Sequence, residues 1–146
     1  MKRLAILLVV LAACSSGTRT TSTGDVQLTG AAAPRLAVEK FLAAIRAQDL
    51  QAMATVWGSE KGPARDVVDR SQLEKRELIM QCYLSHDRFT IVGEQPGRNA
   101  THDVRVSLTK GKITREATFT TVRGPGDRWY VEDVPLEPVR DLCASP

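Results

Sequence analysis

The sequence is poor in the residue types that most often reveal an activity. Its 146 residues include only two histidines, three cysteines and seven aromatic side chains. The histidines and cysteines show no spacing typical of metal ligands. There is also no glycine-rich phosphate loop and no nucleophile elbow. No run of Lys or Arg reaches the length typical of nucleic-acid binding. We therefore expect no metal, no cofactor and no nucleic-acid partner.

The chain has one long apolar run, and it stands near the beginning. Lys2 and Arg3 precede ten apolar residues, 4–13, and Cys14 follows directly. Such a run is too short to span a bilayer but suits a secretory signal. The segment Leu11-Ala12-Ala13-Cys14 resembles the lipobox of bacterial lipoproteins. The resemblance implies that residues 1–13 are a signal peptide and that Cys14 carries lipid. The protein would then be anchored in the bacterial cell envelope, on the periplasmic side of either membrane or at the surface.

The rest of the chain divides into a tether and one domain. Loss of Lys2 and Arg3 leaves 18 Lys and Arg against 17 Asp and Glu, so charge does not indicate nucleic acid or anionic lipid as a partner. Residues 14–33 are rich in Ser, Thr, Gly and Ala without a helix or strand period, which predicts a flexible tether. Residues 34–146 suit one domain with one core.

Two cysteines lie in this domain, Cys82 and Cys143. Because Cys14 would be lipidated, the remaining count is even, in a compartment that is oxidising in most bacteria. We predict a disulfide between them, which requires Cα atoms about 4.4 to 6.8 Å apart. The alternative is two unpaired thiols.

Three helices are predicted in the first half of the domain. The first runs from Pro34 to Gln48 and carries apolar residues at helical spacing. The second is capped by Asp49 and ends at Gly58. After a loop over residues 59–65, the third begins somewhere after Pro63 and ends near Leu84. Within it, residues 71–74 match a capping box, so the helix either starts there or is interrupted there.

Beyond His86 the hydrophobic period changes from 3.6 to 2. Four strands are predicted, and turn signals at residues 96–97, 110–111 and 124–127 separate them. These short connections favour an antiparallel meander. Helices first and strands afterwards predict an α+β fold, with three helices packed on one face of a curved sheet.

Two stretches resemble the NTF2-like superfamily, especially its small secreted or lipid-anchored members. They are Ala37-Val38-Glu39-Lys40-Phe41-Leu42-Ala43-Ala44-Ile45-Arg46-Ala47-Gln48-Asp49-Leu50 and Trp129-Tyr130-Val131-Glu132-Asp133-Val134. The resemblance implies a cone-shaped fold whose sheet curls around the helices and can leave an apolar pocket. Some members use such a pocket as an isomerase, dehydratase or cyclase. Others bind a ligand, dimerise through the outer sheet face or serve as scaffolds, so the fold does not settle the function.

Six residues are candidates for lining such a pocket: Trp57, Tyr83, His102, Phe119, Trp129 and Asp133. Strand alternation directs His102 towards the helices or the pocket mouth, although a solvated histidine at a strand start is the alternative. Core packing is the alternative for the aromatic residues. We expect His102 and Asp133 at opposite ends of the sheet, so they should not act as a pair.

No catalytic residue is therefore predicted. The sequence favours a membrane-anchored, non-catalytic binding or interaction module whose partner is a protein or a small apolar ligand. One alternative is a small-molecule enzyme, isomerase-like or dehydratase-like, that uses the NTF2-like pocket. Another is a homodimer or assembly component that uses the outer face of the sheet.

Overall fold

The computed structural model describes residues 29–144. The predicted signal peptide, Cys14 and most of the predicted tether lie outside this range. Within it, no helix combines the length and the apolar character needed to cross a bilayer.

The described chain contains five α-helices, a short hairpin and a four-stranded sheet. The helices are α1 (Pro34–Ala47), α2 (Leu50–Val56), α3 (Ala64–Val67), α4 (Arg70–Tyr83) and α5 (Asp141–Ala144). The hairpin strands are β1 (Gly58–Ser59) and β2 (Gly62–Pro63). The sheet strands are β3 (Arg88–Pro96), β4 (His102–Lys110), β5 (Ile113–Gly124) and β6 (Arg128–Asp133). The predicted α+β class is confirmed.

The first two helices form where the sequence predicts them. Pro34 occupies the first turn of α1, and the left-handed Gln48 (φ 55°) ends the helix by donating its N–H to Ala44 and Ile45 carbonyls. Asp49 then caps α2, because its Oδ1 accepts from the Ala52 N–H at 2.9 Å. The turn between the two helices therefore depends on local capping groups.

The predicted third helix is two helices in the structure. α3 ends at Val67, and Val68 is extended, with φ −106° and ψ 136°. Asp69 starts α4 instead of Ser71, because its Oδ1 accepts from the Ser71 N–H at 3.0 Å. Of the two sequence alternatives, the interruption is present. Most of the β1–β2 hairpin lies within the predicted loop over residues 59–65, and α3 begins inside that loop, at Ala64.

The sheet is the predicted antiparallel meander, with strand order β3-β4-β5-β6. Register shifts mark a bulge at Val92 in β3 and another at Glu132 in β6. The outer edge of β6 is partly covered, since Ala31 pairs with Trp129 and Trp57 pairs with Val131. One edge of the sheet is thus blocked by main-chain bridges from elsewhere in the domain.

Residues 29–33, which the sequence assigns to the tether, belong to the folded domain. The Gly30 N–H donates to the Thr55 carbonyl at 2.7 Å, and Ala31 is fully buried. Gly30 has φ +65°, and an added Cβ would lie 2.8 Å from the Trp129 carbonyl oxygen, so this close approach requires glycine. These contacts are made by the main chain, which is why composition gave no sign of them.

The core lies between α1 and the inner face of the sheet. The ring of Phe41 on α1 meets that of Phe119 on β5 edge-on, with centroids 6.3 Å apart. The buried side chains of the sheet face alternate along β4 and β5 as expected: Val104, Val106, Leu108, Ala117 and Phe119. Val139 and Leu142, beyond the last strand, are also fully buried. The segment after β6 is therefore part of the same core.

The predicted proximity of Cys82 and Cys143 is confirmed. Their sulfur atoms lie at disulfide distance and their Cα atoms 4.8 Å apart. The bridge joins the end of α4 to α5. Beside it, the Ser85 hydroxyl donates to the Leu142 carbonyl at 3.0 Å, which ties the same two segments together.

Candidate functional site

The six residues predicted to line a pocket do not meet in one place. Phe119 is fully buried in the core, and Tyr83 packs against the core from α4. Both have the packing role that the sequence left open as the alternative. The other four residues fall into two separate locations, one at the end of the sheet and one in a groove beside α4.

His102 and Trp129 meet at one end of the sheet. Their ring centroids are 5.0 Å apart in an edge-on arrangement, and the Arg123 guanidinium lies 5.0 Å from the Trp129 ring on β6. His102 Nδ1 is 3.4 Å from Glu94 Oε1, without hydrogen-bond geometry. The His102 side chain is 34% exposed, so it lies at the rim of the core. This cluster packs against the end of the sheet.

The expectation that His102 and Asp133 lie at opposite ends of the sheet is wrong. His102 pairs with Thr121, and the neighbouring Thr120 pairs with Asp133. The last residues of β5, 122–124, extend beyond the start of β4. β6 pairs with these residues first, and its last residue, Asp133, pairs with Thr120, which lies beside the start of β4. One strand still separates the two residues, which places their backbones about 10 Å apart. They are therefore close in register but not adjacent.

Trp57 and Asp133 share the wall of an open groove of 250 Å³, here named the α4–β6 groove. It is lined by Trp57, Arg76, Ile79, Met80, Val131, Glu132, Asp133, Val134 and Leu136. Ile79 is 51% exposed, although it is a large apolar side chain on a helix. Arg76, Glu132 and Asp133 supply charge beside this apolar surface. An apolar group with a polar edge fits such a groove.

The bulge in β6 explains why Asp133 is exposed. Strand alternation alone would place it on the face of Trp129 and Val131, both of which are buried. Glu132 is the extra residue of the bulge, so Asp133 pairs with Thr120, whose hydroxyl donates to Asp103 at 3.0 Å. The alternation that predicts an inward Asp133 stops at the bulge.

Sequence reasoning missed a second groove, of 430 Å³, here named the helix-layer groove. It is lined by Leu50, Gln51, Arg65, Arg70, Leu73, Glu74 and Glu77. Glu77 is 3% exposed, and burial, with a smaller contribution from the charge of Glu74, raises its pKa to about 7. The signal for this buried carboxyl was helical spacing, because Glu77 stands on the same helix face as Leu73 and Met80.

The other histidine, His86, is buried between the helices and the sheet. Its Nδ1 lies 2.8 Å from the Leu84 carbonyl oxygen, and its ring meets that of Phe89 edge-on. Burial lowers the pKa of His86, and the positive charge of Arg46 acts in the same direction. We assign this residue a packing role.

No metal site is evident in the part of the chain from 29 to 144, where no three His, Cys, Asp or Glu side chains lie close enough to bind an ion. No protein-family model matches the sequence, and no curated protein matches it significantly.

Proposed function

We propose that the protein is a bacterial envelope lipoprotein, anchored through Cys14, whose folded domain is a non-catalytic binding module. The anchor rests on the sequence: basic Lys2 and Arg3, the apolar residues 4–13 and small residues before Cys14. Two or more acyl chains give lasting attachment, whereas one chain binds a bilayer only marginally. The described part of the domain begins at Thr29, so 14 residues, 15–28, separate it from the proposed anchor at Cys14.

We further propose that the domain is NTF2-like. The order of its elements supports this assignment, since α1 and α2 precede a hairpin and further helices, and a four-stranded meander follows. Val131, in the second stretch that resembles the superfamily, pairs with Trp57 at the start of the hairpin. The inner sheet face is filled by buried apolar side chains, including Phe119.

The observation that carries the binding role is the α4–β6 groove. Ile79 and Leu136 present apolar surface there, and Trp57 and Met80 form its more buried part. Keeping apolar surface in water is unfavourable by about 25 cal/mol per Å². A small apolar ligand, or an apolar segment of a partner protein, would cover this surface, and the charged rim would orient it.

The anchor is tested by replacing the lipidation site. We expect Cys14→Ser to leave the protein unlipidated and free of the membrane fraction, because no helix in residues 29–144 can take over the membrane contact. Ser15→Ala is the matched control and should remain lipidated. The proposal fails if the Cys14→Ser protein still sediments with membranes after a high-salt wash.

The groove is tested with two neighbouring residues of α4. Ile79 and Leu78 are 51% and 49% exposed, but only Ile79 lines the groove. In a deletion strain, we expect Ile79→Glu to lose complementation and Leu78→Glu to retain it at equal protein level. His102→Ala should also complement, and its failure as a stably folded protein would favour the enzyme alternative. Equal behaviour of the Ile79 and Leu78 variants would contradict the groove assignment.

A further inference from the structure

One open pocket lies where the chain from the proposed anchor enters the folded domain. It has a volume of 510 Å³, is here named the entry pocket, and lies beside the β1–β2 hairpin and the turn between β5 and β6. Its wall includes Thr29, Lys61, Arg65, Asp66, Arg128 and Tyr130. The entry pocket and the α4–β6 groove share no lining residue, so the binding role proposed above does not use this surface.

Hydrogen bonds fix the entering chain at the wall of this pocket. Arg128 Nε donates to the Thr29 carbonyl at 3.1 Å, and Arg128 Nη2 donates to the Gly30 carbonyl at 3.2 Å. The hydroxyl oxygens of Thr29 and the buried Tyr130 lie 3.0 Å apart. The chain that leads back to Cys14 therefore leaves the domain from the edge of the entry pocket.

Positive charge is in excess in the entry pocket. Lys61, Arg65 and Arg128 line it together with one carboxylate, that of Asp66. Arg65 Nε lies 3.5 Å from Asp66 Oδ1, but both side chains are more than a third exposed, and such surface pairs contribute little. The carbonyls that bind Arg128 hold its guanidinium in place without neutralising it. Within residues 29–144, the Lys61 ammonium has no hydrogen-bond or ion-pair partner. The pocket thus suits an anion.

The neighbouring acidic side chains leave this excess in place. Asp127, in the turn after β5, is paired with Arg123 at 2.9 Å, and the exposed Glu60 does not line the pocket. After loss of Lys2 and Arg3, the whole chain has 18 Lys and Arg against 17 Asp and Glu. The excess therefore comes from where the charges lie and not from the composition, which is why total charge gave no sign of it.

The length of the preceding chain indicates which anion this pocket meets. In the proposed anchored form, 14 residues, 15–28, separate Cys14 from Thr29. A chain of this length spans at most about 50 Å, and about 20 Å on average when it is flexible. Such a link makes contact with the membrane intramolecular, so a weak contact is sufficient. Anionic lipid headgroups attract basic side chains that lie within a Debye length of the surface.

We propose that the entry pocket binds the phosphate of an anionic phospholipid headgroup in the anchoring membrane, through Lys61, Arg65 and Arg128. This inference rests on the proposed anchor at Cys14, which keeps the pocket beside the bilayer. The turn between β5 and β6 then faces the membrane, and Lys112, in the turn between β4 and β5, faces away from it. Because β5 has 12 residues, the two ends of this strand lie about 35 Å apart.

The test measures the acetylation rates of single lysines in the mature, lipidated protein on vesicles. The vesicles contain phosphatidylcholine alone, or phosphatidylcholine and phosphatidylglycerol in equal amounts. Acetic anhydride is the reagent, because it is neutral and its local concentration does not depend on surface charge. We expect Lys61 to react about fivefold more slowly on the anionic vesicles at low salt, and Lys112 to react equally on both. High salt should abolish the difference, since it screens exposed charges. Equal rates for Lys61 on both vesicles, or equal slowing of Lys61 and Lys112, would overturn the proposal.

Variants assign the contact to this pocket. Arg65→Glu should restore fast acetylation of Lys61 on the anionic vesicles. Arg88→Glu is the matched control, because it makes the same charge change at an exposed position at the other end of the sheet, and it should keep Lys61 slow. Slow acetylation of Lys61 in Arg65→Glu would overturn the site. Excess inorganic phosphate at constant ionic strength should leave Lys61 slow, and restored reactivity would show that the pocket takes free phosphate and not the headgroup.

Failure of the anchor and failure of this inference give different results. If Cys14 is not lipidated, the protein does not sediment with either kind of vesicle. If only the headgroup contact is wrong, the protein sediments with both, and Lys61 reacts equally on both. Ile79→Glu should behave as the wild-type protein in this assay, which separates the entry pocket from the α4–β6 groove.

Discussion

Helices α1 and α4 both have 14 residues but relate to the rest of the molecule in opposite ways. α1 packs on β4, β5 and β6, whereas α4 packs mainly on other helices. α1 buries seven residues: Pro34, Ala37, Val38, Phe41, Leu42, Ala44 and Ile45. α4 buries only Glu77 and Met80. α1 therefore contributes far more to the core than α4 does, although α1 exposes Leu36 and α4 contributes Met80 to the core.

This difference indicates that a binding surface of the domain is to be sought beside α4 and not beside α1. The side chains of α1 that face the sheet are apolar and fully packed, so they have no free surface to offer. α4 exposes Leu78 and Ile79, and it holds a carboxyl in a buried position. Both candidate grooves have walls from α4, and neither has a wall from α1. Exposed apolar and buried polar groups are the two deviations that packing alone does not explain.

The largest expected effect is a difference in stability between matched changes on the two helices. We expect Phe41→Ala to lower the free energy of unfolding by about 3 to 5 kcal/mol, because it opens a cavity against Phe119. Ile79→Ala should change it by less than about 0.5 kcal/mol, because the side chain is already half exposed. Urea denaturation followed by circular dichroism measures both. Similar losses at the two positions would show that α4 contributes to the core as α1 does.

The second prediction concerns how α4 is held in place despite its sparse packing. The Cys82–Cys143 bridge closes a long loop, with a sequence separation of 61 residues. We expect Cys143→Ser to lower the free energy of unfolding by about 2 to 4 kcal/mol. A reductant should destabilise the wild-type protein by the same amount and leave the Cys143→Ser variant unaffected. Cys14→Ser is the control and should keep full stability. If the reductant has no effect, the two thiols are unpaired in the native protein.

Sequence patterns predicted the parts of the fold that depend on periodic burial or local capping. The spacing of Val38, Phe41 and Ile45 predicts α1, and Asp49 predicts the start of α2. Alternation along β4 and β5 predicts their inward faces, and turn residues predict the meander. The cysteine count predicts the proximity of Cys82 and Cys143. In each case the deciding interaction is encoded within a few residues or in a count.

The rest depends on contacts that no local pattern encodes. Ala31 is buried because its main chain pairs with Trp129, and its own side chain gives no signal of this. The bulge at Glu132 turns Asp133 away from the face that alternation predicts. The overhang of β5 places His102 and Asp133 at one end of the sheet. Glu77 shares the helix face of Leu73 and Met80, but a glutamate in a polar helix normally faces water, so its burial depends on how α4 packs in the folded domain.

The smallest expected effect is a pH dependence that comes from this buried carboxyl. Burial raises the pKa of Glu77 from 4.5 to about 7. Between these values the folded protein holds a proton that the unfolded chain has released. The free energy of unfolding should therefore fall as pH rises from about 4.5 to about 7 and level off above, by at most about 3 kcal/mol. Glu77→Gln should remove this fall and make the protein more stable than the unmodified chain at about pH 8.

His86 provides the contrasting case in the same titration. Burial lowers its pKa below 6.5, so as pH falls through this value the unfolded chain takes up a proton before the folded protein does. Its contribution to stability is therefore present above 6.5 and is lost on acidification, the opposite direction to that of Glu77. In Glu77→Gln, stability should fall only towards acid, and His86→Gln should reduce that fall. Parallel pH curves for the unmodified protein and Glu77→Gln, measured by urea denaturation, would show that the charge of Glu77 is solvated in the folded state. The helix-layer groove would then lack the buried acceptor that distinguishes α4 from α1.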